Sequence, residues 1–278
     1  MTAPTPPHAM SGPTDARLGP ALSAEIDRLA GARDLLIALD FDGTLAPEVD
    51  EPSAARALPA ARTALLALHR LPSTTVALVS GRSLDSLVEV GEMPDEVPLI
   101  GSHGLEVRLA ANDVRPAATA HDRERVRVLL LRLEPLVAAV PGAWVELKPA
   151  GFAVHTRLVA DSAAAASLIL TVREESGRLD AELTMRDGKN VIELAVRDVT
   201  KGDGVRLLRA HLGSPAVLFA GDDVTDEDAL RVLEPADLGI KVGRAPTIAA
   251  HRVADPQAMV GVLERLLSVR TITARRTP

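Results

Sequence analysis

Leu35-Leu36-Ile37-Ala38-Leu39-Asp40-Phe41-Asp42-Gly43-Thr44 decides the fold. Five apolar residues in an unbroken run have strand length, and the lack of alternation marks a strand covered on both faces, as in a parallel sheet. Two carboxylates and a glycine follow directly at its carboxyl end. Similar apolar runs recur at 75–79, 97–100, 216–220 and Leu238–Val242. Helical stripes separate them, over 60–70, 83–90, Lys201–Leu212, 225–233 and 256–268. Strand–helix alternation of this kind predicts an α/β fold with a doubly wound parallel sheet.

The middle of the chain follows another pattern. Runs at 106–109, Trp144–Lys148, 152–157, 183–186 and 190–196 alternate polar with apolar residues and read as antiparallel strands. Asp187-Gly188 is the expected hairpin turn between the last two. Two long helical stretches, 122–139 and 162–176, lie among these strands. The expected organisation is a leader and first helix over 1–30, and a core over 31–105. An inserted α+β cap follows over 106–196, and the rest of the core over 197–278. The first twenty residues, rich in Pro, Thr and Ala, read as a short disordered leader.

Composition narrows the chemistry. The 278 residues include no Cys, which excludes disulfides, thiolate metal sites and cysteine nucleophiles. A net charge of −7 gives no basic face for a nucleic-acid backbone. No apolar run reaches the roughly 18 residues of a membrane helix, and no secretory signal is recognisable. A cytoplasmic protein is expected, with neither nucleic acid nor membrane as partner; a monomer is compatible with everything in the sequence. Of the 31 basic residues only Lys148, Lys189, Lys201 and Lys241 are lysines, so positions that keep Lys ask for a compact ammonium. Lys189 and Lys241 have no role readable from sequence.

In open parallel sheets ligands bind beyond the carboxyl ends of the strands. Four strands deliver polar, glycine-bearing segments to that rim: 40–44, Ser80-Gly81-Arg82, Gly101-Ser102-His103-Gly104 and Gly221-Asp222-Asp223-Val224-Thr225-Asp226. Asp40, Asp42, Asp222, Asp223 and Asp226 would crowd one place, and so many carboxylates need compensation. Oxygen-only donors point to Mg²⁺. With the Ser80 hydroxyl and the Lys201 ammonium, these groups compose a phosphoryl-transfer site.

Asp40-Phe-Asp-Gly-Thr, Ser80, Lys201 and Gly221-Asp-Asp-x-x-Asp, in that order, resemble the four motifs of the haloacid-dehalogenase superfamily. The insertion between the second and third motifs is similar to its C2-type cap. Further features resemble the trehalose-6-phosphate phosphatase family. They are Gly101-Ser-His-Gly, Glu146-Leu-Lys148, Val154-His-Thr-Arg157, Gly188-Lys-Asn-Val-Ile-Glu193, Lys201-Gly202 and Gly221-Asp-Asp-Val-Thr-Asp-Glu-Asp228. Thr156 departs from the His-Tyr-Arg usual in that family.

The resemblance implies an aspartyl-phosphate mechanism and trehalose 6-phosphate as substrate. Asp40 is then the nucleophile and Asp42 the general acid and base. Mg²⁺ is held by Asp40, the Asp42 carbonyl and Asp222. Ser80 and Lys201 hold phosphate oxygens, while Asp223 and Asp226 orient metal waters or Lys201. Phe41, Gly81, Arg82 and His103 complete the expected substrate surface near the phosphate. Glu146 and Lys148, two apart on one strand face, and Glu193 are placed on the distal glucose. Other capped phosphatases, acting on sucrose phosphate or glycosyl-phosphoglycerates, would share this core chemistry, as would a phosphosugar mutase. A non-catalytic binding protein would not need Asp40, Asp42, Lys201 and Asp222 together.

Overall fold

The computed structural model describes residues 18–49, 51–115, 118–188, 190–213 and 216–274. Residues 1–17 of the expected leader and Lys189 therefore lie outside the described residues, and the leader ends earlier than expected, since Leu18 is buried in the core and Pro20 opens the first helix. After helix α1 (Pro20–Ala30), strand β1 (Leu35–Leu39) runs through the middle of an eight-stranded sheet. Helix α2 (Pro59–His69), strand β2 (Thr74–Val79), helix α3 (Leu84–Gly91) and strand β3 (Leu99–Gly101) follow. Strands β4 (Glu106–Ala110) and β5 (Asp113–Arg115) complete that side. Beyond the insertion come α6 (Lys201–Leu212), β10 (Ala216–Gly221), α7 (Asp226–Arg231), β11 (Leu238–Val242), β12 (His251–Val253) and α8 (Pro256–Ala274). The sheet order is β12-β11-β10-β1-β2-β3-β4-β5, parallel from β12 to β3 and antiparallel thereafter.

β1 is apolar throughout because each face meets a helical layer. Leu35, Ile37 and Leu39 pack with Ile26, Leu65, Leu87 and Leu263 from α1, α2, α3 and α8. Leu36 and Ala38 pack with Val205, Leu208 and Ala229 from α6 and α7. The doubly wound arrangement is thus written into a strand with no polar face.

The insertion carries helix α4 (Ala120–Ala138), strands β6 (Trp144–Lys148) and β7 (Gly151–His155), helix α5 (Ser162–Leu179), and strands β8 (Thr184–Gly188) and β9 (Val191–Ala195). Its four strands form a separate antiparallel sheet in the order β6-β7-β9-β8. One face, with Phe152, Val154, Ile192 and Leu194, packs on Leu129, Leu133, Leu168 and Val172 of the two helices. Two expectations change here. Residues 106–110, expected to open the cap, pair with β3 in the large sheet (Ile100 opposite Val107), because an alternating strand also suits that sheet's half-covered antiparallel edge. The β8–β9 reversal falls two residues later than Asp187-Gly188: Gly188 pairs with Val191, and Asn190 takes the left-handed conformation at φ 59°.

Candidate active site

Thr200 caps α6. Its hydroxyl accepts from the Asp203 amide (3.3 Å), and the Thr200 amide donates to the Asp203 carboxylate (3.0 Å). This capping box makes Lys201 the first residue of the helix, and its ammonium meets the end of β1. Lys201 Nζ donates to Asp40 Oδ1 and to Asp226 Oδ1, both at 2.7 Å, with all three side chains at most 5% exposed. The Asp223 amide donates to the other Asp226 oxygen (2.9 Å), so both oxygens of Asp226 are occupied within the protein.

Asp222 reaches the same place from the end of β10, and carboxylate oxygens of Asp40, Asp222 and Asp226 lie within 4.8 Å of one another. The neighbouring backbone makes room for it. A Cβ on Gly43 would stand 2.1 Å from Asp222 Oδ2, and Gly43 has φ 69°, a conformation that favours glycine. Burial pushes Asp40 up to about 8; Lys201 opposes the shift, and the charges of Asp226 and Asp222 add to it. Burial first, and then Asp226, raise Asp222 as well. Two crowded carboxyls with raised pKa values, oxygen donors only and one residual ammonium suit a hard divalent cation. Asp40 and Asp222 would hold it, and Asp226 is committed to Lys201 and the loop.

Asp42 leaves that cluster. Its carboxylate takes a two-pronged contact from Arg82, Nε to Oδ2 and Nη2 to Oδ1, both 2.6 Å. With the carboxylate engaged by Arg82, the main-chain oxygen is the Asp42 group that the sequence reading expects to face a cation. Between the two aspartates Phe41 faces the other way. Its ring is 1% exposed within the apolar core, so it gives the cleft no side-chain surface, whatever its backbone does. The Arg82 guanidinium lies 5.8 Å from that ring.

Ser80 is buried at the end of β2, and its hydroxyl accepts from the Arg82 amide (3.2 Å). Across it lies His103, held left-handed at φ 56°. A Cβ on Gly81 would be 2.5 Å from His103 Cε1, so only glycine admits the imidazole there. Burial, and then the Lys201 charge, hold His103 below the usual histidine value. Glu106 fixes this turn: one oxygen accepts from Ser102 Oγ (2.6 Å) and from the Leu84 amide (2.8 Å). Sequence reading missed Glu106, whose alternating strand gave no hint of a cleft-side partner.

Asp40, Asp42, Ser80, Arg82, His103 and Lys201 line one cleft of about 760 Å³, with Gly81, Asp222 and Asp223 at its walls. Glu146, Lys148 and Glu193 do not line it. They share the polar face of the cap sheet, in register: Glu146 opposite Ala153, and Ala153 opposite Glu193. Lys148 Nζ stands 3.1 Å from Glu146 and 3.9 Å from Glu193. His155 Nε2 is 2.7 Å from Glu146 and stacks on Trp144, over which Arg157 lies at 5.1 Å. His155 and Arg157 thus brace the sheet. The same row adds Arg186, opposite Glu193, a residue sequence reading did not single out. Its charge also acts on His103.

Comparison with known proteins adds a second line of evidence. The sequence model of a family described as trehalose-phosphatase matches residues 38–257. The chain is 32% identical over 239 residues to the bifunctional trehalose-6-phosphate synthase/phosphatase of Thermoproteus tenax, covering 85% of this chain and 32% of that protein. It is 30% identical over 256 residues to a probable trehalose-phosphate phosphatase of Sinorhizobium fredii, covering 88% of this chain and 90% of that one. The chain spans less than two thirds of the length of several other curated relatives that it matches. Among solved structures, the trehalose-6-phosphate phosphatase of Aspergillus fumigatus superposes with a TM-score of 0.74 at 25% identity, over 88% of this chain and 97% of that one. A haloacid dehalogenase-like hydrolase from B. subtilis, at 16% identity and a TM-score of 0.55 over 82% and 98%, shares the fold.

Proposed function

We propose that this chain, which belongs to the trehalose-phosphatase family, hydrolyses trehalose 6-phosphate to trehalose and phosphate. The observation that carries the reading is the buried Asp40–Lys201–Asp226 chain beside Asp222 at the mouth of β1. It presents one carboxylate oxygen for attack while an ammonium holds the other.

In this reading Asp40 attacks phosphorus in line, and the phosphorus–oxygen bond to the sugar breaks. Asp42, released from Arg82 and carrying a proton, gives that proton to the departing oxygen, then takes one from the water that opens the acyl phosphate and frees Asp40. Arg82 keeps Asp42 aimed into the cleft between turnovers. Ser80 and Lys201 receive phosphoryl oxygens, and Lys201 also offsets charge on Asp40. Asp223 and Asp226 set the loop and the ammonium. Mg²⁺ held by Asp40, the Asp42 carbonyl and Asp222 would offset charge developing on the phosphoryl group.

The insertion over 106–196, less the strands that pair with the large sheet, acts as the cap. Its polar face, with Glu146, Lys148 and Glu193, takes the distal sugar, and His103 and Gly81 shape the phosphate end. A cytoplasmic site of action belongs to the same reading. The test is phosphate release from a panel of sugar phosphates, with Mg²⁺ and with EDTA. Metal-dependent preference for trehalose 6-phosphate supports the proposal. Preference for sucrose phosphate or a glycosyl-phosphoglycerate overturns the substrate, and Asp40→Asn with retained turnover overturns the nucleophile.

A further inference from the structure

Lys241 is, among the described residues, a fully buried charge that the chemistry above leaves unused. It sits on β11 at 0% exposure, beside Gly221, the residue that ends β10 and precedes Asp222. A lysine there is unusual twice over: the chain uses Arg for nearly all its cations, and neighbouring positions of β11 are apolar. Charges are buried only with partners. Lys241 Nζ donates to the Asp223 carbonyl (2.9 Å) and stands 3.4 Å from Glu227 Oε1. The other Glu227 oxygen accepts from the Ile248 amide (2.9 Å), which ties the pair to the segment after β11. Burial pushes Glu227 up, but the Ile248 amide, Thr247 and Lys241 together outweigh it and hold the carboxylate low.

The consequence concerns the two peptide groups that flank one residue. Asp223 is gripped from opposite sides: its N–H by Asp226, the partner of Lys201, and its C=O by Lys241. Asp222 precedes it in the same loop and depends on that backbone for its place over Gly43. We propose that Lys241 and Glu227 are positioning residues for divalent-metal binding, which fix the 221–226 loop from behind so that Asp222 meets Asp40. This rests on the phosphatase reading of the cleft, since it assumes that a cation binds there.

The test is Mg²⁺ binding to the substrate-free protein by titration calorimetry, with thermal melts in EDTA alongside. Replacing both members of a buried pair avoids orphaning a charge. The informative variant is therefore Lys241→Met with Glu227→Gln, which keeps an acceptor for the Ile248 amide. The expected result is a Mg²⁺ dissociation constant raised by about ten- to a hundredfold, the usual effect of losing a residue that orients a ligand. Turnover at saturating Mg²⁺ should recover largely, with KM for substrate unchanged. A folded double variant with the parent's Mg²⁺ affinity overturns the proposal. If the double variant does not fold, Glu227→Gln alone is read by the same criterion. Asp222→Asn separates the two readings. If the parent binds Mg²⁺ and this change abolishes binding while the double variant has no effect, only the brace is wrong. A parent that binds no Mg²⁺ overturns both.

Discussion

Asp40 and Asp222 are crowded enough that the metal-free protein should hold a proton between them, and adding Mg²⁺ should expel it. The site holds three carboxylates against one ammonium, and Asp40 is pushed up to about 8 by burial and by its acidic neighbours. In the unfolded chain it returns to its ordinary value near 4. Between those values the folded state keeps a proton that the unfolded state has lost. The metal-free protein should therefore lose stability as pH rises from about 4 to about 8. Cation binding has the opposite slope. With a value of about 8, about one site in ten carries an ionised Asp40 at pH 7 and about one in a hundred at pH 6, each unit being about 1.4 kcal/mol. The apparent Mg²⁺ dissociation constant should rise about tenfold for each unit that pH falls below that value, with about one proton released per ion bound. Calorimetry in two buffers of different ionisation enthalpy reads that proton directly, and melts in EDTA read the stability slope. No proton released at about pH 6, with affinity flat from there to about pH 9, would refute the account of the cluster.

Three substitutions probe separate parts of the site. Gly43→Ala must place a Cβ 2.1 Å from Asp222 Oδ2 on a backbone at φ 69°; it should cost about 1–2 kcal/mol of stability and weaken Mg²⁺ binding, and an unchanged binding isotherm counts against the geometry. Arg82→Gln removes both 2.6 Å contacts to Asp42. It should lower kcat on large and small esters alike, by about a hundredfold if Asp42 is the acid; equal kcat would sink that role. Glu193→Ala should reduce kcat/KM for trehalose 6-phosphate by about ten- to a hundredfold, the value of a hydrogen bond to a charged group. A small aromatic phosphate ester should be turned over as before, and parallel losses on both would end the assignment of the cap face.

The parts of this molecule legible in sequence are those where one residue type has one structural meaning. β1 ends where its apolar run ends, because a strand covered on both faces favours apolar residues throughout, and β11 keeps its strand length although Lys241 interrupts its apolar run. The rim of motif loops follows, since glycines beside polar or charged side chains have no reason to recur at four strand ends except a shared site. β12 is three residues, His251 to Val253, too short and too mixed to register as a strand. β4 was readable as antiparallel but not as belonging to the large sheet, because alternation reports one covered face without saying what covers it. The pairs that set the site were invisible for another reason. Asp42 with Arg82, Ser102 with Glu106, and Asp223 with Lys241 each depend on which surface of a strand or turn faces inward. A sequence motif carries no such vector.

The separation of cleft and cap face has a consequence for selectivity. The residues proposed for the phosphate chemistry line the cleft, with Asp226 behind them, and Glu146, Lys148 and Glu193 stand outside it. Those three already satisfy one another: Lys148 lies between two glutamates, and His155 takes the far side of Glu146. The hydrogen bond from His155, and then that from Lys148, hold Glu146 below the usual carboxylate range, so it stays charged and ready to accept. A small ester leaves this ladder undisturbed and loses nothing by ignoring it. On the proposed reading of the cap face, a disaccharide phosphate must break into the ladder, and gains only if its hydroxyls replace the contacts displaced, since a carboxylate left unpaired is penalised. Selection then falls on the pattern of hydroxyls rather than on the phosphate. The same reading predicts that changes confined to the polar row at Glu146, Arg186 and Glu193 shift the sugar preference while turnover of a small phosphate ester stays as it was.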